Sequence, residues 1–108
     1  MLVTKEEKNR ALILRLEGRL DATTSIQLEN VLNQAIEGNQ VNILIDFGGI
    51  EYLSSAGMRV LLSMTKRLKG MKGCFKIFAI HDDVMEIIRL AGFETILQIY
   101  DDESRALS

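Results

Sequence analysis

Hydrophobic and polar positions along this chain follow two alternating periods. Leu12, Leu14 and Leu16 share one side of an extended segment and Ile13, Arg15 and Glu17 the other. This two-residue repeat marks a half-exposed strand that Gly18 is expected to close. From Asp21 the spacing lengthens: Leu28, Val31, Leu32, Ala35 and Ile36 fall on one stripe of a helix, with Asp21 or Thr23 as its N-cap and Gly38 as its stop. Val41 to Phe47 is almost continuously apolar and β-branched, as in a central strand covered on both faces, and Gly48-Gly49 is expected to turn the chain. A second helix after Ser54-Ser55-Ala56-Gly57 puts Met58, Leu61, Leu62, Thr65 and Leu68 on one side and Arg59, Ser63, Lys66 and Arg67 on the other, ending at Gly70. Cys74 to Ile80 reads as a further buried strand. A short helix then uses Val84, Ile87, Ile88 and Ala91 up to Gly92, and Ile96 to Ile99 forms a last strand.

A strand followed by three helix–strand units predicts an α/β fold, a single domain with a mostly parallel sheet of four to five strands and helices packed on it. Residues 2–4 can add an edge strand. The polar tail from Asp101 to Ser108 is expected to fray.

Composition narrows the function. The 108 residues carry 13 Lys+Arg and 15 Asp+Glu, a net charge of -2, so no strong field favours nucleic acid or an anionic membrane. One cysteine and one histidine exclude an internal disulfide and a Cys/His metal site. Lys5-Glu6-Glu7-Lys8 follows the first residues directly, leaving no apolar signal segment, and no stretch of about 18 apolar residues could insert into a bilayer. The expectation is a cytoplasmic domain.

Candidate chemistry gathers between Asp46 and Gly57. In open α/β sheets, sites form at the carboxyl ends of strands and the amino ends of the following helices. Ser54 and Ser55 open a helix there, with Asp46 expected nearby. One serine suffices as a cap; the second needs another reason only if it is exposed and unused. A phosphate on Ser55 would lie at the positive end of the helix dipole and be tolerated by the fold while changing the surface. The small Ala56 and Gly57 would let a partner come close, or serve helix–sheet packing.

An enzyme reading lacks parts. Leu53 stands where a nucleophile elbow needs glycine, and His81 is the sole candidate base, opening a helix that Asp82 or Asp83 is expected to cap. Phosphate-cradling glycine motifs are absent, so no cofactor is implied. Asp21, Asp46 and Glu51 show no metal-specific spacing. Lys66, Arg67, Lys69 and Lys72 read as a solvated face, Tyr52 and Phe93 as core or turn packing, and Cys74, which opens a buried strand, as an inert thiol.

Taken together, Leu16-Glu17-Gly18-Arg19-Leu20-Asp21, Val41 to Phe47, Tyr52-Leu53-Ser54-Ser55-Ala56-Gly57-Met58-Arg59-Val60-Leu61-Leu62 and Leu90-Ala91-Gly92-Phe93 resemble a STAS domain, in particular the small anti-sigma-factor antagonists of bacteria, over roughly residues 10–100. The resemblance implies a non-enzymatic switch. Its unmodified form would bind an anti-sigma factor that is also a serine-protein kinase of nucleotide-binding kinase fold. Phosphorylation would release that partner, and a PP2C-type phosphatase would reset the switch. Aligned on Gly57, the family's Asp-Ser-Ser/Thr-Gly pattern puts the modified residue at Ser55, with Ser54 in place of the aspartate as an alternative acceptor and Ala56 in place of the second hydroxyl residue. Asp21, Asp46, Ser54, Ser55, Ala56, Gly57, Met58 and Arg59 become the expected docking surface. The alternative is an unphosphorylated STAS subunit of a transporter or sensory complex.

Overall fold

A computed structural model describes all residues, 1–108. The chain runs β1 (Leu2–Lys8), β2 (Ala11–Leu20), α1 (Ala22–Glu37), β3 (Asn42–Leu53), α2 (Ser55–Gly70), β4 (Cys74–Phe78), α3 (Asp82–Leu90), β5 (Gln98–Tyr100) and α4 (Glu103–Leu107). Spatial strand order equals chain order; β1 is antiparallel to β2 and every other pair is parallel. The β1–β2 hairpin closes through Asn9 and Arg10, both at positive φ (52° and 66°), the backbone that a two-residue primed turn requires. Each parallel step is crossed by one helix. Crossovers of a single hand put α1, α2 and α3 on one face of the sheet, where Leu28, Leu32, Leu61, Leu68, Val84 and Ile88 join Leu14, Ile45, Phe47 and Ile77 in one core.

Three sequence expectations are corrected. Gly48-Gly49 does not turn the chain, and Gly18 does not end β2. Both strands run on to Leu53 and Leu20, with register shifts between Arg15 and Glu17 and between Gly18 and Arg19. Glycine is needed here for closeness of approach, since a Cβ on Gly49 would lie 2.6 Å from the Leu16 carbonyl oxygen. The shifts are bulges, which bend a strand without removing it from the sheet.

The third correction concerns both the tail and the exposed side of β2. The tail does not fray: residues 103–107 form α4, which lies on the sheet face opposite α1–α3. There Ala11, Ile13, Leu44 and Phe78 pack with Ala106 in a second small core, so Ile13, expected on an exposed face, is 0% exposed. Charge fixes the helix in place. Glu103 accepts from Lys8 Nζ (2.8 Å) and Arg15 Nη1 (2.7 Å), Arg15 also pairs with Glu6 and Asp46, and Lys76 Nζ donates to the Ala106 carbonyl.

The hydrogen bonds from Lys8 and Arg15 hold the Glu103 carboxyl below its ordinary value of 4.5. A depressed carboxylate stabilises the fold above its unfolded pKa, and that contribution is lost as pH falls through the folded value. Acidification below about pH 4 should therefore loosen α4, seen as movement of the Ala106 and Leu107 amide resonances towards random-coil positions. Glu103→Gln should show no such pH-dependent step.

Candidate functional site

The carboxyl ends of β2 and β3 lie side by side, Leu20 opposite Leu53, and the Ser54 amide donates to the Leu20 carbonyl at 2.9 Å. This pairing sets the amino ends of α1 and α2 next to each other. Asp21 is the α1 N-cap: its Oδ1 accepts from the amides of Thr23 (3.1 Å) and Thr24 (3.0 Å), and Thr24 Oγ1 accepts in return from the Asp21 amide. The bonds from Thr24, backbone then side chain, lower the Asp21 pKa.

At α2 the two serines divide. Ser54 is the N-cap, half-buried, and its Oγ accepts from the Gly57 amide at 3.1 Å. Ser55 is the first helical residue, exposed, and its hydroxyl has no protein partner. Its own amide and that of Ala56 take no part in the backbone bonding, whereas the Met58 amide donates to the Ser54 carbonyl. No acidic residue lies in the first turn of α2 to offset its positive end.

Of the remaining expected docking residues, Arg59 is exposed and Ala56 half-buried. Gly57 and Met58 are buried, Met58 to 4%. Gly57 is a packing residue, because a Cβ there would lie 2.8 Å from Leu20 Cγ and 2.9 Å from Leu53 Cδ1. Asp46 is not brought to the serines. It lies seven residues before the end of β3, about 20 Å away at ~3.3 Å per residue, and its carboxylate is held by Arg15 Nη1 (3.0 Å) and the Gly48 amide (2.8 Å). No group of three or more His, Cys, Asp or Glu side chains is placed to hold a metal ion, and Asp21, Asp46 and Glu51 are not gathered. His81 is itself the α3 N-cap, without a side-chain cap bond; Asp82 and Asp83 follow in the first turn instead of capping it. Its Nε2 lies 2.6 Å from the Gly48 carbonyl oxygen, to which it donates. No hydrogen bond joins it to either serine.

Two grooves flank the amino-terminal half of α2, and Ser55 lines the first of them. One, about 250 Å³, runs between α2 and α3, with Met58, Leu62, Ile87 and Phe93 beneath Ser55 and Arg59. The other, about 410 Å³, lies between α1 and α2, where Arg59 faces Glu29 and Ile26. Ile26 is 62% exposed and Leu90, at the end of α3, is 80% exposed. Both break the amphipathic stripes of their helices, a signal present in the sequence but passed over there. Phe93 packs against the main core as expected. Tyr52 does not: it is exposed, and the Arg19 guanidinium stacks on its ring at 4.3 Å, since the residues of β3 beyond the second bulge have no helix over them on that side.

The model of the STAS domain family matches residues 3–106. The chain belongs to the STAS domain family. Over 98% of its length this STAS chain is 27% identical to BtrV of Bordetella bronchiseptica, covering 91% of that protein. It is likewise 27% identical to an anti-sigma F factor antagonist of Paenibacillus polymyxa, covering 98% of this chain and 92% of the relative. Among solved structures, a Thermotoga maritima protein superposes with a TM-score of 0.91 at 18% identity, over 97% of this chain and 91% of the other; at that identity the likeness concerns the STAS fold. No helix is long and apolar enough to cross a membrane.

Proposed function

We propose that this STAS chain is an anti-sigma-factor antagonist that works by partner switching at Ser55. The unmodified α2 amino end, with Asp21, Ala56 and Arg59 around it, docks an anti-sigma factor with a nucleotide-binding kinase fold. That partner transfers the γ-phosphoryl group of ATP to Ser55 Oγ, whose proton passes to a base of the kinase as ADP leaves. Complex formation fails while the phosphate stays, until a PP2C-type phosphatase hydrolyses the ester and returns serine and inorganic phosphate.

One observation carries this reading: Ser54 provides the cap bond, and Ser55 stands beside it exposed and unbonded. A residue that does nothing for its own fold is available to an enzyme. The phosphate would meet the free first-turn amides and the helix dipole, so its addition leaves the domain folded while altering the face that docks.

Incubation with ATP and a candidate anti-sigma factor of kinase-like fold, followed by mass mapping, tests it. The expected product carries a single phosphate on Ser55. A phosphate on Ser54 would transfer the role to the capping residue and fray α2. No modification, together with stable co-purification with a permease or receptor whatever residue occupies 55, would favour the constitutive-subunit reading.

A further inference from the structure

We propose that Arg59 receives the phosphate of Ser55 within the same chain, one turn along α2, and so is the residue through which modification rewrites the docking face. The inference rests on Ser55 as the modified residue. Positions 55 and 59 are i and i+4 on one helix, neighbours on its surface, with the anion on the amino-terminal side, the more favourable order. Helical side chains lean back towards the amino terminus, so the Arg59 stem leads towards Ser55. Both residues line the groove between α2 and α3, and no carboxylate lines it with them.

Arg59 is also an uncommitted cation. Arg15, Arg89 and Arg105 are paired with carboxylates, Arg67 donates to Asn33, and Arg19 stacks on Tyr52. Arg59 takes part in none of these contacts. Glu29 is the acidic side chain that shares a groove with it, and the two form no ion pair. Before modification the guanidinium is therefore open to an acidic side chain of the partner. Afterwards a dianion one turn away holds it in a charge-assisted pair, and the face loses its free cation at the moment it gains negative charge.

The test needs no kinase. Phosphoserine is installed at position 55 during synthesis, and the phosphorus resonance of the intact chain is followed against pH for wild-type, Arg59→Gln and Arg59→Lys forms. The ion pair favours the dianion, so the wild-type phosphate should ionise ~0.5 pH unit below that of Arg59→Gln. Arg59→Lys should keep part of the difference, and ~1 M salt should remove it. Coincident midpoints for wild type and Arg59→Gln would overturn the proposal. Arg59 is exposed, and circular dichroism verifies that the Gln form is folded. Because the phosphate arrives without an enzyme, coincident midpoints leave the mapping of Ser55 by the kinase unaffected, and a kinase that ignores Ser55 leaves this titration unaffected.

Discussion

Ser55→Asp is expected to bind the proposed anti-sigma-factor partner about 100-fold more weakly than wild type, with no loss of fold stability. The two halves of that expectation come from the same position. As the first residue of α2, an aspartate sits at the positive end of the helix dipole, where a carboxylate stabilises by roughly 0.3–1 kcal/mol, and its side chain displaces nothing because Ser55 has no partner to lose. Against a docked protein the same carboxylate adds negative charge to the contact face and draws on Arg59 one turn along, a change of roughly 3 kcal/mol against a partner that offers no cation of its own, and each ~1.4 kcal/mol is tenfold. Ser55→Ala should dock as wild type does and accept no phosphate. Calorimetric titration of the three forms, with urea midpoints as the stability control, measures both halves. Equal affinities for Ser55→Asp and wild type would place the contact surface elsewhere.

Removing residues 102–108 should cost roughly 3 kcal/mol, out of the ~5–15 kcal/mol typical of a domain, and lower the melting temperature by about 15 °C at this chain length. The cut strips α4 from Ala11, Ile13, Leu44 and Phe78, and re-exposing even half of such side chains, at ~1.5–3 kcal/mol for each complete one, reaches that figure. Ala106→Asp tests the same contact with one atom group: its methyl is 1% exposed, so a carboxylate there must either be buried unpaired or lift the helix. Differential scanning calorimetry decides; a truncated chain melting with wild type would mean that the second core contributes nothing. Neither change should affect phosphorylation of Ser55, since α4 and α2 lie on opposite faces of the sheet.

The elements and their order were legible in the sequence because each relies on local signals. Apolar residues repeat every two or every three to four positions, Asp21 and Ser54 can bond their own helices, and residues 2–4 hinted at an edge strand, which in fact runs Leu2–Lys8. The failures share a cause: the deciding contact was remote in sequence. Gly48-Gly49 reads as a turn because a glycine pair is common there, whereas what calls for glycine is the Leu16 carbonyl on the neighbouring strand. A segment with two apolar residues, Ala106 and Leu107, looks like a frayed tail until the face it covers is known. Ile13 breaking the alternation of β2 was the one local sign of that face. At the site, the split between Ser54 and Ser55 was legible as a question, and the backbone answered it. The burial of Met58 was written in the helical stripe itself, whereas that of Gly57 depends on Leu20 and Leu53, which are remote or on another element. Asp46 was placed by its nearness in sequence to the serines, and the continuation of β3 to Leu53 carried it away.

Strand order that matches chain order has a consequence for the way the protein is made. As the chain leaves the ribosome, each new strand finds its only required neighbour already in place, so the sheet can grow from one edge without waiting for distant pieces. The exception is α4, which follows all five strands in the chain and returns to β2 and β4. Until it arrives, the nascent domain shows the solvent an oily strip centred on Ile13, Leu44 and Phe78, the kind of surface that holds chaperones and seeds clumping. A pause in synthesis before residues 103–107 emerge would prolong that exposure.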